Sequence, residues 1–377
     1  MADYKIVSAD SHAEEPGSLY DKLPEQYRHR RPHVEVVDGR RYQVLDGQHP
    51  ILLDTPNPLT EKDLRKEFRG GEDVGIGVNR EWGTDVELRL RDQAEDGVSA
   101  EVIYPNGIFE AFSSPEPGYQ MAVCSLYNDF YWDVFSAHSD VCIPSATIPT
   151  IDVDAAVTEA QRIAAKGYRS VSVPVNIAST PYNLPVYEPF WSTLAGLDLP
   201  LSFHVFTTSE SISDDEPRKY RTVEDTHGRD LTGMVLGMAE AMAPLTALTA
   251  AGVFDRNPSL RIVLVECGIG WLAWALYAMD DVYHARHMWQ HPNLEKLPSE
   301  YFKTNGFITF GDDPIGLNNI DFTGVDGLMW GSDYPHDEGT FPHSREVIER
   351  TFAGVSQEDK EKIVGRNAAR LYGINLN

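Results

Sequence analysis

The chain has 377 residues, of which 42 % are hydrophobic and 24 % charged, so it can bury a core and is not a disordered polymer. Lys and Arg number 32 against 58 Asp and Glu, a net charge of −26 that disfavours nucleic acid and anionic lipid as partners. Cys124, Cys142 and Cys267 are too few and too scattered for a disulfide framework or a CxxC zinc site, which points to a reducing, cytoplasmic setting.

In chain order, short apolar runs occupy residues 5–10, 100–105, 142–149, 168–175, 200–206, 261–268, 306–311 and 327–333. Most are continuous rather than alternating, as in parallel strands covered on both sides. Between them, residues 119–138, 153–166, 231–251 and 271–289 have helical spacing of apolar side chains. Eight such units predict an α/β chain folded as one (β/α)8 TIM barrel spanning residues 1–377. The competing doubly wound sheet lacks a glycine-rich dinucleotide fingerprint here. Residues 16–95 exceed what the barrel needs. They are rich in Pro, Gly and charge and predict an insertion, or lid, over the barrel mouth between strands one and two. The polar segment 209–230 is expected on the same face. The apolar stretch 234–254 contains Glu240 and Pro244 and predicts a buried helix pair rather than a membrane span.

Chemistry in such barrels sits at the C-terminal strand ends. Strand one ends in Asp10-x-His12, strand five in His204, strand six in Glu266, and strand eight in Asp333-Tyr-Pro-His336. Residues i and i+2 of a strand share a side, so Asp10 and His12 can face one metal, with His204 and Asp333 reaching in from across the barrel. Two imidazoles and two carboxylates form a divalent-metal donor set. The ends of strands two, three and four, including Tyr104-Pro105, read as inert, and strand seven offers Asp312 and Asp313. Aromatic residues around Phe109, Phe112, Phe206 and Trp330 read as a possible hydrophobic pocket, Trp271, Trp274 and Trp289 as packing, the Arg28–Arg31 run as a solvated face, and His227 and His343 as surface or pocket-rim residues. There is no GxSxG motif, and Cys267 has no obvious adjacent base.

Asp10-x-His12-x-x-Glu15-Pro16, His204 after an apolar run, Arg261-Ile-Val-Leu-Val-Glu-Cys-Gly-Ile-Gly-Trp271, Gly331-Ser-Asp-Tyr-Pro-His336 and the terminal Gly365-Arg-Asn-Ala-Ala-Arg-Leu-Tyr372 together resemble the amidohydrolase-related branch of the amidohydrolase superfamily. That branch includes aminocarboxymuconate semialdehyde decarboxylase and resorcylate decarboxylase. Two positions depart from its pattern: Asp10 stands where His-x-His is usual, and Glu266 where the decarboxylases carry a catalytic His. The resemblance implies metal ligands among Asp10, His12, Glu15, His204, Glu266, Asp333 and His336, with Glu266 and His336 also as catalytic candidates.

Four carboxylates balance two divalent cations and favour harder metals. The carboxylate-rich pattern resembles the branch's dinuclear non-haem iron, or manganese/iron, monooxygenases. The leading expectation is therefore an oxygenase that hydroxylates a small or apolar substrate with O2 and an electron donor, as a homodimer. The alternative is a mononuclear Zn or Mn hydrolase or non-oxidative decarboxylase, with the metal held by Asp10, His12, His204 and Asp333 and Glu266 as the general acid or base. A third possibility, a non-catalytic barrel serving as a partner subunit, is disfavoured by intact polar residues at four strand ends.

Overall fold

Continuous apolar runs become strands whose alternate residues feed two different cores. In the computed structural model, which describes residues 4–54, 83–177, 180–207, 212, 215–222, 229–286, 293–336 and 339–376, strand β1 (Ile6–Ala13) is buried at every position. In β10 (Ile262–Val265), Ile262 and Leu264 pack outward against the helical layer, while Val263 and Val265 join an inner cluster with Val7, Val102 and Tyr104. Period-two alternation with both faces covered is the physical meaning of the unbroken apolar runs.

The barrel is assembled from β1, β5 (Val98–Pro105), β6 (Cys142–Pro144), β7 (Ala146–Thr147), β8 (Val171–Pro174), β9 (Leu201–His204), β10, β11 (Gly306–Phe310) and β12 (Leu328–Trp330). All neighbouring pairs in it are parallel. The run at 142–149 is split: β6 pairs with β5, and past Ser145 the chain switches to β8 as β7. Closure comes from β1 and the end of β12, which meet in a parallel bridge at Ser11 and Tyr334, with Asp333 N–H donating to the Asp10 carbonyl at 2.9 Å. Gly331 is required at this seam, because a Cβ there would lie 2.5 Å from Asp10 Cβ. The TIM-barrel prediction therefore holds.

Helix Val153–Lys166 matches its prediction end for end, capped by Asp152, whose side chain accepts from Ala155 N–H, and closed by left-handed Gly167. Helix Pro117–Phe135 runs slightly earlier than predicted, and Leu272–Arg286 begins one residue later. Trp271 packs and donates to the Cys267 carbonyl, whereas Trp274 is 65 % exposed, contrary to expectation. Trp289, His227 and the run at 69–72 lie outside the described residues, as does half of segment 209–230. The apolar stretch breaks into Arg229–Ala239 and Met242–Ala250. The second buries Leu245 and Leu248, but the first exposes Leu231, Val235 and Leu236, so the expected buried pair is buried in one member only. By length and composition alone, Leu231–Ala250 would suffice to cross a membrane. Cys124, Cys142 and Cys267 are buried and not disulfide-bonded.

Within residues 16–95, the described part forms two 3-10 turns (Gly17–Lys22 and Glu25–Arg30), then an antiparallel sheet of β2 (His33–Val37), β3 (Arg40–Val44) and β4 (Ile51–Leu52). The arginines of the 28–31 run are tied down: Arg30 pairs with Asp46 and Arg31 with Asp21. The segment ends in a helix, Val86–Asp96, that apolar periodicity does not reveal. Its buried residues are Arg89, Asp92, Gln93 and Asp96, spaced as one helical face but entirely polar. That face grips the barrel seam. Arg89 donates to the His12 carbonyl and to Ser11 Oγ, and Tyr334 donates its hydroxyl to Asp92 at 2.7 Å.

Candidate metal centre

Six of the seven candidate ligands converge at the C-terminal mouth of the barrel. His12 is held by an Nδ1 contact to the Pro105 carbonyl at 3.1 Å, and His204 by one to its neighbour's Val205 carbonyl at 3.0 Å. When those Nδ1 atoms carry the protons, both Nε2 lone pairs point to the centre, where they stand 3.3 Å apart. Around them lie three carboxylates. His12 Nε2 is 3.6 Å from Asp10 Oδ1, 3.8 Å from Glu266 Oε2 and 3.3 Å from Asp333 Oδ1. His204 Nε2 is 3.4 Å from Glu266 Oε2 and 3.8 Å from Asp10 Oδ1. His336 stacks on His12 at 4.1 Å between ring centroids and reaches Asp333 Oδ1 at 3.0 Å. Two groups, Asp10–His12–His204 and His12–Glu266–Asp333–His336, each have ligand atoms within 4.8 Å of one another.

The backbone aims these groups at a cost. Glu266 directly follows β10 and Asp333 lies three residues past the end of β12, and both adopt left-handed backbone, φ 61° and 56°. Such conformations in non-glycine residues persist only where the surroundings enforce them, and they gather at functional sites. Electrostatics prepares the centre for a cation. Burial, helped by the neighbouring His336, keeps the His12 imidazole below its ordinary range and so neutral, although Asp333 opposes this. Burial would raise the Asp333 carboxyl, but the adjoining His12 and His336 rings outweigh that and hold it well below the usual carboxylate range. Neutral imidazole and ionised carboxylate are the ligand forms. Asp10 Oδ1 is buried without a hydrogen-bond donor, a deficit that a cation would relieve. Donor set and orphaned oxygen both fit a divalent ion.

Glu15 does not join the centre. It belongs to neither ligand group, and its carboxylate lies in the turn at Gly107 and Ile108, with the Tyr20 hydroxyl at 3.4 Å. Five residues past Asp10 the chain has left the strand, so pleat alternation no longer sets its direction. Burial, with Glu14 and Glu110 nearby, pushes its carboxyl up to about 8. The native state then holds a proton that the unfolded chain has released. Stability from this source is complete below the ordinary carboxyl range, falls as pH rises from there, and is lost above about 8. Glu15→Gln should therefore gain melting temperature relative to the parent as pH rises from 5 to 9, and thermal melts across that range check it. A constant difference would contradict it.

The centre floors a cavity of about 330 Å³ bordered by His12, His204, Glu266 and His336. Phe109, Val205, Phe206, Met234, Leu45 and Ile51 give it apolar walls, and Gln48, Asn106, Glu110 and Ser113 give it polar ones. Of the expected aromatic lining, Phe109 and Phe206 are present, while Phe112 and Trp330 are buried in the core. Strand two is not inert, since Pro105 supplies the carbonyl that orients His12 and the Tyr104 ring lies 5.3 Å from that of His204. The strand-seven carboxylates serve structure: Asp313 accepts N–H bonds from Ile269, Gly270 and Gly316, and Asp312 pairs with Arg350.

The amidohydrolase family profile matches residues 111–374. The gamma-resorcylate decarboxylase of Rhodococcus jostii is 28 % identical over 315 residues, covering 77 % of this chain and 88 % of the relative. An amidohydrolase from Mycobacterium avium subsp. paratuberculosis superposes with a TM-score of 0.74 at 18 % identity, over 99 % of this chain and 100 % of that one. A 5-carboxyvanillate decarboxylase from Novosphingobium aromaticivorans, solved with manganese and 4-hydroxy-3-methoxy-5-nitrobenzoic acid, gives 0.69 at 18 % identity, over 98 % and 96 %. At such identities the two solved structures speak for the fold.

The expectation of a dinuclear iron or manganese/iron monooxygenase using O2 and an electron donor is corrected by the relatives in sequence, which are named gamma-resorcylate decarboxylases. Its physical premise also weakens: four carboxylates at one centre were counted, and Glu15 stands elsewhere.

Proposed function

The chain belongs to the amidohydrolase family, and from that premise we propose that it is a metal-dependent, non-oxidative decarboxylase of a small hydroxylated aromatic acid, acting in the cytoplasm. The observation that carries the reading is the convergence of two oriented imidazoles and three carboxylates on the floor of an aromatic-walled cavity. The gamma-resorcylate decarboxylase relatives supply the reaction class.

Asp10, His12, His204 and Asp333 would hold one divalent ion, manganese or zinc. When bound, that ion supplies a Lewis acid for the substrate carboxylate and an adjacent hydroxyl oxygen. Glu266 borders both the ligand cluster and the cavity, which suits it to deliver a proton. The bond from ring to carboxyl carbon breaks, CO2 departs, and the Glu266 proton ends on the vacated ring carbon. Phe109 and Phe206 exclude water beside the ring. Among the described residues lining the cavity there is no lysine or arginine, which favours monocarboxylate substrates. The described part of the 16–95 insertion would serve as a cover over the mouth, since its Leu45, Gln48 and Ile51 line the cavity.

The test is CO2 release from gamma-resorcylate and other ortho-hydroxybenzoates by manganese- or zinc-loaded protein in D2O. One deuterium should appear at the vacated carbon, anaerobically as well as in air. Absence of release from the whole series, or turnover that requires O2, would sink the proposal.

A further inference from the structure

We propose that Thr309 is a positioning residue for the metal centre, acting as a hydroxyl clasp between Asp10 and Glu266. Thr309 lies on β11 between Ile308 and Phe310, both of which pack into the outer core, and Phe307 two residues earlier belongs to the inner one. Alternation therefore turns Thr309 into the barrel, where it is fully buried. Its Oγ accepts the Glu266 N–H at 2.8 Å and lies 3.3 Å from Asp10 Oδ2.

These two contacts fix the hydroxyl's direction. Glu266 N–H can only donate, so the Thr309 proton is left for Asp10 Oδ2. One oxygen of Asp10 is thereby held, and the other, Oδ1, faces the ring nitrogens of His12 and His204 at 3.6 and 3.8 Å. Glu266 sits in left-handed backbone just past the ladder, and Thr309 satisfies the N–H that this turn takes out of the sheet. A neutral side chain on strand seven thus sets the orientation of carboxylates from strands one and six.

The experiment is manganese titration of metal-free protein by calorimetry, with cobalt-substituted absorption spectra alongside; it needs no substrate, so it stands or falls apart from the decarboxylase reading. Thr309→Val keeps the shape and removes the hydroxyl. It should weaken manganese binding by about 10–100-fold, the usual effect of losing a group that orients metal ligands, and shift the cobalt bands. Thr309→Ser should restore both to near the parent. If the valine variant does not fold, Thr309→Ala against Thr309→Ser isolates the hydroxyl in the same way. Binding by the valine or alanine variant within twofold of the parent, with unchanged cobalt bands, overturns the proposal. So does a serine variant as impaired as the variant lacking the hydroxyl.

Discussion

Alanine at His204 is expected to abolish stoichiometric metal binding and lower CO2 release by about three orders of magnitude, since a Lewis acid supplies several kcal/mol of transition-state stabilisation and about 1.4 kcal/mol is tenfold in rate. The reasoning starts from geometry. His204 Nε2 is within 3.8 Å of His12 Nε2, Glu266 Oε2 and Asp10 Oδ1, so it shares a focus with two carboxylates and the second imidazole. Removing it leaves a vacant site beside negative oxygens, with one neutral donor fewer. The ring is also part of the cavity wall, lying 5.1 Å from Phe109 between centroids, so some packing is lost as well. Packing loss and ligand loss separate experimentally. Circular dichroism and the melting temperature measured in chelator should change little, whereas metal content per chain and the stabilisation gained on adding manganese should both collapse. Full turnover by a variant that retains no metal would refute the metal-centred mechanism outright.

How much of this centre could be read from the sequence depends on which part of each residue does the work. Asp10, His12, His204, Glu266 and Asp333 were legible because polar side chains directly follow apolar strand runs, and the barrel assigns a common rim to such positions. His336 was legible only as a neighbour of Asp333. Main-chain groups were not legible: the carbonyls of Pro105 and Val205, which orient the His12 and His204 rings, carry no residue-type signal. Thr309 was missed because a buried threonine in a strand is ordinary until its two partners are known. The oxygenase expectation failed through a count. It summed formal charge over residues near in sequence to strand ends, whereas Glu15 is directed toward Ile108 and Tyr20 and is held as a carboxyl up to about 8.

Helix Val86–Asp96 escaped for the opposite reason. Sequence periodicity finds helices by their apolar face, and here the inward face is Arg89, Asp92, Gln93 and Asp96. A polar face can be buried where the surface it meets is itself polar main chain. The barrel seam offers that surface, because β1 and β12 meet there through a single bridge and leave carbonyls to satisfy. The helix therefore links the strand bearing Asp10 and His12 with the loop bearing Asp333.

That arrangement makes Arg89→Met the substitution with the largest expected cost to stability. Arg89 is fully buried and donates to Glu101 at 2.6 Å, to the Gly83 carbonyl at 2.9 Å, to Ser11 Oγ at 3.3 Å and to the His12 carbonyl. Methionine approximates its length but leaves Glu101, itself 1 % exposed, with Gln93 Nε2 at 2.7 Å as its remaining donor among these partners. Removing one member of a buried ion pair costs about 3–5 kcal/mol, because the charge left behind is neither solvated nor matched. The loss should appear as a lower urea midpoint. Adding Glu101→Gln should recover a substantial part of it, since the stranded charge is then gone, and the double variant should be more stable than the sum of the single losses predicts. Manganese affinity offers a second reading, because slackening the His12 carbonyl loosens the ligand-bearing end of β1. If Arg89→Met costs less than about 1 kcal/mol, as an exposed pair would, the helix is not the clamp of the seam.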